Sequence, residues 1–245
     1  MATRRHLDRA PIQEALIDIR FEPPVVSTLV DSMAGEFAKP NGTVHDLWET
    51  TFELRGGSEP QTTQTTQTGV RAGKRIDFGK NVVQLRTTGF TFSRLAPYQD
   101  WEAMSLDAAN LWQRYLKAAG EVAIIRLAVR YINVLNLQLP MGDFKEFLNS
   151  PPAVPEPLPQ AVSSFMTRVV SVDQANNDHA AVTQVFEGLS PGSQEFKLIL
   201  DIDVFHPCSF GGLDFTQIST VLARLRDLKN DVFFEYLTDK SLENC

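Results

Sequence analysis

Residues 194–205 read QEFKLILDIDVF, and their alternation decides the fold. Phe196, Leu198, Leu200, Ile202 and Val204 point one way, while Glu195, Lys197, Asp201 and Asp203 point the other. Successive side chains leave opposite sides of a pleated strand, so a period of two predicts a strand with one buried and one wetted face. The same rule finds QEALIDIRFE at 13–22, where Ala15, Ile17, Ile19 and Phe21 oppose Glu14, Asp18, Arg20 and Glu22. It also covers the longest apolar run, EVAIIRLAVRYINVLNLQL at 121–139. There Ala123, Ile125, Leu127, Val129, Tyr131, Leu135, Leu137 and Leu139 share a face against Arg126, Arg130, Asn136 and Gln138. Further strands are predicted at 47–54, 74–79, 81–95 (bent at Gly89), 163–173 and 180–187.

Helical spacing separates these strands. Val26, Leu29, Val30, Met33 and Phe37 make one apolar stripe, ended by Pro40-Asn41-Gly42. Pro97 is expected to open a long helix through Ala119, whose stripe runs Trp101, Met104, Ala108, Leu111, Tyr115 and widens to Trp112, Leu116 and Ala119. A short helix is expected at 142–149. A final one starts near 215, where Asp214 and Gln217 resemble a capping box and Ile218, Val221, Leu222, Leu225 and Leu228 face inward.

Antiparallel strands wetted on one face need cover on the other face only. The expected fold is therefore α+β: a mainly antiparallel sheet covered on one face by helices, in a single globular unit. The order strand, helix, three strands, long helix runs over 13–119 and again over 121–238, which predicts an internal duplication. This order resembles the TATA-binding-protein fold and its helix-grip relatives, in which paired halves share one curved sheet. Two segments stand apart. The Gln/Thr-rich tract 56–69 has nothing to bury and is expected to be a mobile loop. Residues 151–159, PPAVPEPLP, are expected to be extended and polyproline-like.

Composition narrows the function classes. The 245 residues carry a net charge of −7 with no Lys/Arg-rich block, which argues against nucleic acid, whose phosphates are neutralised by basic side chains. No apolar run is long enough to span a membrane, and the basic start MATRRHLDRAPIQ has no apolar stretch behind it. The only cysteines, Cys208 and Cys245, build neither a disulfide framework nor a zinc site, so a reducing cytoplasm is expected. Self-association is left open.

Candidate chemistry is sparse. His6, His45, His179 and His206 are scattered, and no nucleophile elbow, P-loop or dinucleotide fingerprint occurs. No catalytic residue and no cofactor are assigned. Asp201 and Asp203 on one strand face suggest, as an alternative, a divalent-metal hydrolase or nuclease; as a plain reading they are the charges of a solvent face. Phe90-Thr-Phe92-Ser-Arg94-Leu-Ala-Pro97-Tyr98-Gln-Asp-Trp101 concentrates aromatic rings and an arginine at a strand-to-helix junction. If Arg94 and Tyr98 lie near Arg126 and Arg130, they form a face for a carboxylate, a phosphate or an acidic peptide. The competing expectation is that these arginines pair with Asp18, Asp201 or Asp203 across the sheet.

Four segments carry a family likeness: Pro11-Ile12-x-Glu14-Ala15-Leu16-x-x-Ile19-Arg20-Phe21; Phe92-Ser-Arg94-Leu-x-Pro97-Tyr98-x-x-Trp101; Arg126-x-x-x-Arg130-Tyr131-Ile132-Asn133; and Phe233-Phe234-x-x-Leu237-Thr238-Asp239-Lys240. Together they resemble a sporadically distributed bacterial family of chains about this length, to which no activity is attached. The resemblance implies no site residues. Patchy distribution is common among defence-associated genes, which implies a partner-binding role. The expected function is thus a non-enzymatic binding protein with a protein or peptide partner, chaperone-, antitoxin- or assembly-subunit-like.

Overall fold

The computed structural model describes residues 2–54, 65–140, 142–189, 192, 194–243 and 245, with side chains described outside 49–54 and 65–68. One nine-stranded antiparallel sheet runs in the order β2-β3-β4-β5-β1-β6-β9-β8-β7. Its strands are β1 (Ile12–Glu22), β2 (Thr43–Leu54), β3 (Thr65–Phe78), β4 (Asn81–Arg86), β5 (Gly89–Leu95), β6 (Ala123–Gln138), β7 (Phe165–Asp173), β8 (Asp178–Phe186) and β9 (Glu195–Gly211). Helices α1 (Ser27–Phe37), α2 (Trp101–Ala119) and α3 (Phe215–Tyr236) cover one face.

The alternation read from sequence sets this arrangement. Ala15, Ile17, Ile19 and Phe21 of β1 are buried, and so are Phe196, Leu198, Leu200, Ile202 and Val204 of β9. Against them α2 presses Met104, Trp112 and Tyr115, and α3 presses Ile218, Leu222 and Leu225. Phe21 and Phe90 meet the stacked pair Trp112–Tyr115, with ring centroids 5.2–6.1 Å apart. The Trp112 indole N–H donates to the Gly212 carbonyl at 3.0 Å, satisfying the ring's one polar atom. Asp214 caps α3 by accepting from the Gln217 N–H at 2.9 Å. Among the described residues, no helix is long and apolar enough to cross a membrane.

Several expectations are corrected. The strand 81–95 is two strands, because Arg86 pairs with Gly89 and the chain reverses through Thr87-Thr88. A Thr-Thr turn lacks the Asn-Gly or Asp-Gly signature that betrays most two-residue hairpins. The first half therefore has four strands after α1, and the two halves do not match element for element. Helix α2 begins at Trp101, not Pro97: Asp100 accepts from the Ala103 N–H at 2.6 Å and so fixes the start. The segment 142–149 holds only a 3-10 turn at Phe144–Glu146, which still buries Phe144, Phe147 and Leu148. In β6 the alternation breaks at Ile125, where the pairing with β1 and β9 slips by a residue. Ile124 is consequently buried and Ala123 and Ile125 exposed, the reverse of a uniform period of two. Of the tract 56–69, residues 65–69 belong to β3; the rest of the expected mobile loop, 56–64, lies outside the described residues.

Candidate functional site

The face opposite the helices carries a lattice of arginines and carboxylates at the centre of the sheet. Its positions follow from register: Asp18 lies opposite Thr91 on β5 and Ala128 on β6, with Arg20 opposite Gly89 and Arg126, and Arg130 opposite Asp203. Asp18 is the hub, 5% exposed. It accepts from the Thr91 hydroxyl at 2.6 Å, from Arg20 Nε at 2.9 Å and from Arg126 Nη1 at 3.0 Å. Thr91 in turn accepts from Arg86 Nη1 at 3.1 Å, and Arg86 Nη2 donates to Gln84 at 2.7 Å. Arg126 Nη2 spans both oxygens of Asp203, and its guanidinium lies 4.4 Å above the Phe205 ring. Arg130 grips Asp201 with two bonds, at 2.8 and 2.5 Å.

These contacts border a groove of ≈ 380 Å³ lined by Leu16, Asp18, Arg20, Gln84, Arg86, Thr91, Arg126, Arg130 and Asp203. Arg20, Arg86, Arg126 and Arg130 line it together with Asp18 and Asp203, and a third carboxylate, Asp201, holds Arg130. Burial pushes the Asp203 carboxyl above its ordinary value, against the pull of Arg126 and Arg130. The hydrogen bonds that Arg130 donates to Asp201 hold its guanidinium above its usual pKa. Gly89 gives the groove part of its shape, because a Cβ there would meet Arg20 Cδ at 3.0 Å.

Arg126 and Arg130 thus stand on one open face, as their spacing predicts, and both are already paired with Asp18, Asp203 and Asp201. Arg94 does not join them. Its partner across β1 is Ala15, so it points to the helix side, where it is 9% exposed and donates to Asp107 of α2 at 2.6 Å. The alternation Phe90-Thr91-Phe92-Ser93-Arg94 carried that information, since Arg94 shares the parity of two core phenylalanines. Tyr98 also lies on the helix side, its hydroxyl 2.7 Å from that of Tyr131 and its ring edge-on to it. Burial raises the pKa of both tyrosines. The expected four-residue face therefore splits into two pairs on opposite sides of the sheet.

Asp201 and Asp203 have their oxygens engaged by Arg130 and Arg126, a poor start for a divalent cation that needs free carboxylate ligands. No group of three or more His, Cys, Asp or Glu among the described residues is placed to hold a metal ion. Sequence reasoning missed Arg20, Arg86 and Thr91 as members of the lattice. Arg20 could have been found, because it shares the parity of Asp18. Arg86 could not, because its face depends on the Thr87-Thr88 reversal. No protein-family model and no curated protein matches the chain.

Proposed function

We propose that the chain is a binding protein that captures an acidic segment of a protein partner on the open face of its sheet. One observation carries the proposal. Arg20 spends only Nε on Asp18, so among the described residues both its Nη groups lack a partner, at the edge of the groove. A guanidinium fork matches a carboxylate in two-point geometry, and the groove has room for an acidic side chain. Met166, Val170 and Val172 on the open side of edge strand β7 add exposed apolar surface. The same proposal includes membership of the sporadically distributed bacterial family and descent of the two halves from a duplication, supported by a sheet in which β1 and β6 are central neighbours and each half continues outward on its own side. It sets the protein in the cytoplasm, where Cys208 and Cys245, both unpaired, would stay reduced.

The test is affinity capture from the native host with the unmodified protein and Arg20→Gln, at low and moderate salt. Asp18 keeps Arg126 and Thr91 in the variant, so it should fold normally and lose the partner, and salt should weaken the wild-type complex. A folded Arg20→Gln protein that retains the partner at both salt levels would defeat the proposal.

A further inference from the structure

Among the described residues, Lys229 is the buried charged side chain that no opposite charge meets. It sits on α3, is 9% exposed, and has no carboxylate within 4.0 Å among the described residues. Its Nζ lies 3.9 Å from the centre of the Tyr131 ring and donates to the Asn230 side chain at 2.6 Å. A ring face and a neutral amide are weak substitutes for an anion in a desolvated place. Burial, helped by Arg226 and Arg4, pulls its pKa down to about 7.

The amine lines a pocket of ≈ 510 Å³ between the N-terminal segment, the start of α2, β6 and α3. Tyr98, Trp101 and Tyr131 give it flat aromatic walls. The other charges around it are accounted for. Glu102 faces Arg226 at 3.7 Å, Asp100 caps α2, Arg4 reaches Asp231 and Asp227, Arg5 reaches Asp239, and His6 faces Asp8 at 3.8 Å. The pocket therefore has size, stacking surface and one unmet positive charge.

We propose that this pocket binds a small organic anion, a carboxylate or phosphate joined to a planar apolar body, with Lys229 as the buried counter-charge. The site is on the covered side of the sheet and is independent of the open-face groove. Bringing an anion to Nζ favours the ammonium form, so binding near pH 8 must draw a proton from solution onto Lys229.

Calorimetry at pH 8 in two buffers of different ionisation heat tests this directly, with benzoate, phenyl phosphate and neutral benzamide as probes. At least one anion should bind with net proton uptake, and which one does distinguishes carboxylate from phosphate. Benzamide should bind at least about tenfold more weakly, the weight of one charge-assisted contact. Lys229→Met keeps the aliphatic stem beside Tyr131 and should weaken the anion by about tenfold with loss of the proton uptake. Three results would each overturn the proposal: neither anion binding at about 10 mM, benzamide matching the anions, or binding without proton uptake. The last is read on the unmodified protein, so it stands even if the Met variant folds poorly.

Discussion

On the covered face of the sheet Asp107 and Asp178 serve as rivets between layers, whereas on the open face Asp18, Asp201 and Asp203 tie strand to strand within one layer. Arg94 on β5 reaches Asp107 on α2, and Asp178 at the start of β8, 1% exposed, takes two bonds from Arg224 on α3 and one contact from His206. Asp18 on the open face instead gathers β1, β5 and β6 through Arg20, Thr91 and Arg126. The helices pack their apolar stripes onto the first face, and the second carries the arginine–carboxylate lattice. The comparison says where a substitution should be costly, and it can be broken at several points.

The largest effect belongs to the covered face. Trp112 is 1% exposed, stacks on Tyr115 and binds the Gly212 carbonyl. Trp112→Ala should lose about 3–5 kcal/mol in urea unfolding, from the removed ring and the cavity it leaves. Trp101, expected from its helical spacing to line the same buried stripe, is only partly buried at the pocket mouth, so Trp101→Ala should cost clearly less. Equal losses at the two positions would erase the distinction between the packed face and its rim.

Next comes the hub of the open face. Arg126→Gln leaves Asp203 without its two-point partner and Asp18 with one guanidinium fewer. A fully buried broken pair costs about 3–5 kcal/mol. Here the arginine is 27% exposed, so screening should reduce the loss to roughly 2 kcal/mol. Arg20→Gln should cost less than about 1 kcal/mol, because Asp18 keeps two donors. If Arg20 proved as costly as Arg126, the lattice would be a structural unit throughout, with no member to spare for a partner.

How much of this was legible in the sequence follows from the same two faces. Period-two alternation is a local signal, and in β1 and β9 it assigned every core side chain correctly. It failed where a distant partner dictates the backbone: the slip at Ile125 is set by pairing with β1 and β9, and the Thr87-Thr88 reversal by pairing of β4 with β5. The site suffered from the same cause. Arg126 and Arg130 group because they share a strand, whereas grouping Arg94 with them needs the following strand to lie beside it on the same face, and its parity with Phe90 and Phe92 points to the core. Lys229 gave no signal at all. It looks like any helical lysine, and only the fold shows that Tyr131 lies beneath it and that no carboxylate does.

Lys229 is also the exception that sharpens the comparison, being a covered-face cation with no rivet. Its folded pKa of about 7 lies below the ordinary lysine value of 10.5. Between those values the unfolded chain binds more protons than the folded one, so stability must rise with pH. From pH 7 to 8.5 the gain should be about 1.5 kcal/mol. Cys208, whose thiol burial pushes up to about 11, works in the opposite direction but removes only about 0.2 kcal/mol by pH 8.5, and Lys229→Met retains it. Urea midpoints for the unmodified protein and Lys229→Met should therefore diverge in slope between pH 7 and 8.5. Parallel curves would mean that Lys229 is solvated.

The smallest effect is expected at the outer wing of the open face, and its smallness is the informative part. Strand β7 pairs only with β8, and Met166, Val170 and Val172 are 72%, 46% and 46% exposed. A β-branched residue on a strand edge gives a modest propensity advantage and little burial, so Val170→Thr, which keeps the branching, should change stability by no more than about 0.5 kcal/mol. Met166→Lys should be equally mild, since it keeps a flexible unbranched stem and adds a charge of the kind that ordinarily protects sheet edges from pairing with other chains. Both should melt with the unmodified protein in a thermal scan. If the open face is a docking surface, the pair should nonetheless reduce partner capture, because a mild cost in folding combined with loss of a partner separates a contact residue from a structural one. A loss of several kcal/mol at either position would instead show that this edge is packed in solution, against another copy of the chain, and would move β7 from the partner's side of the comparison to the protein's own.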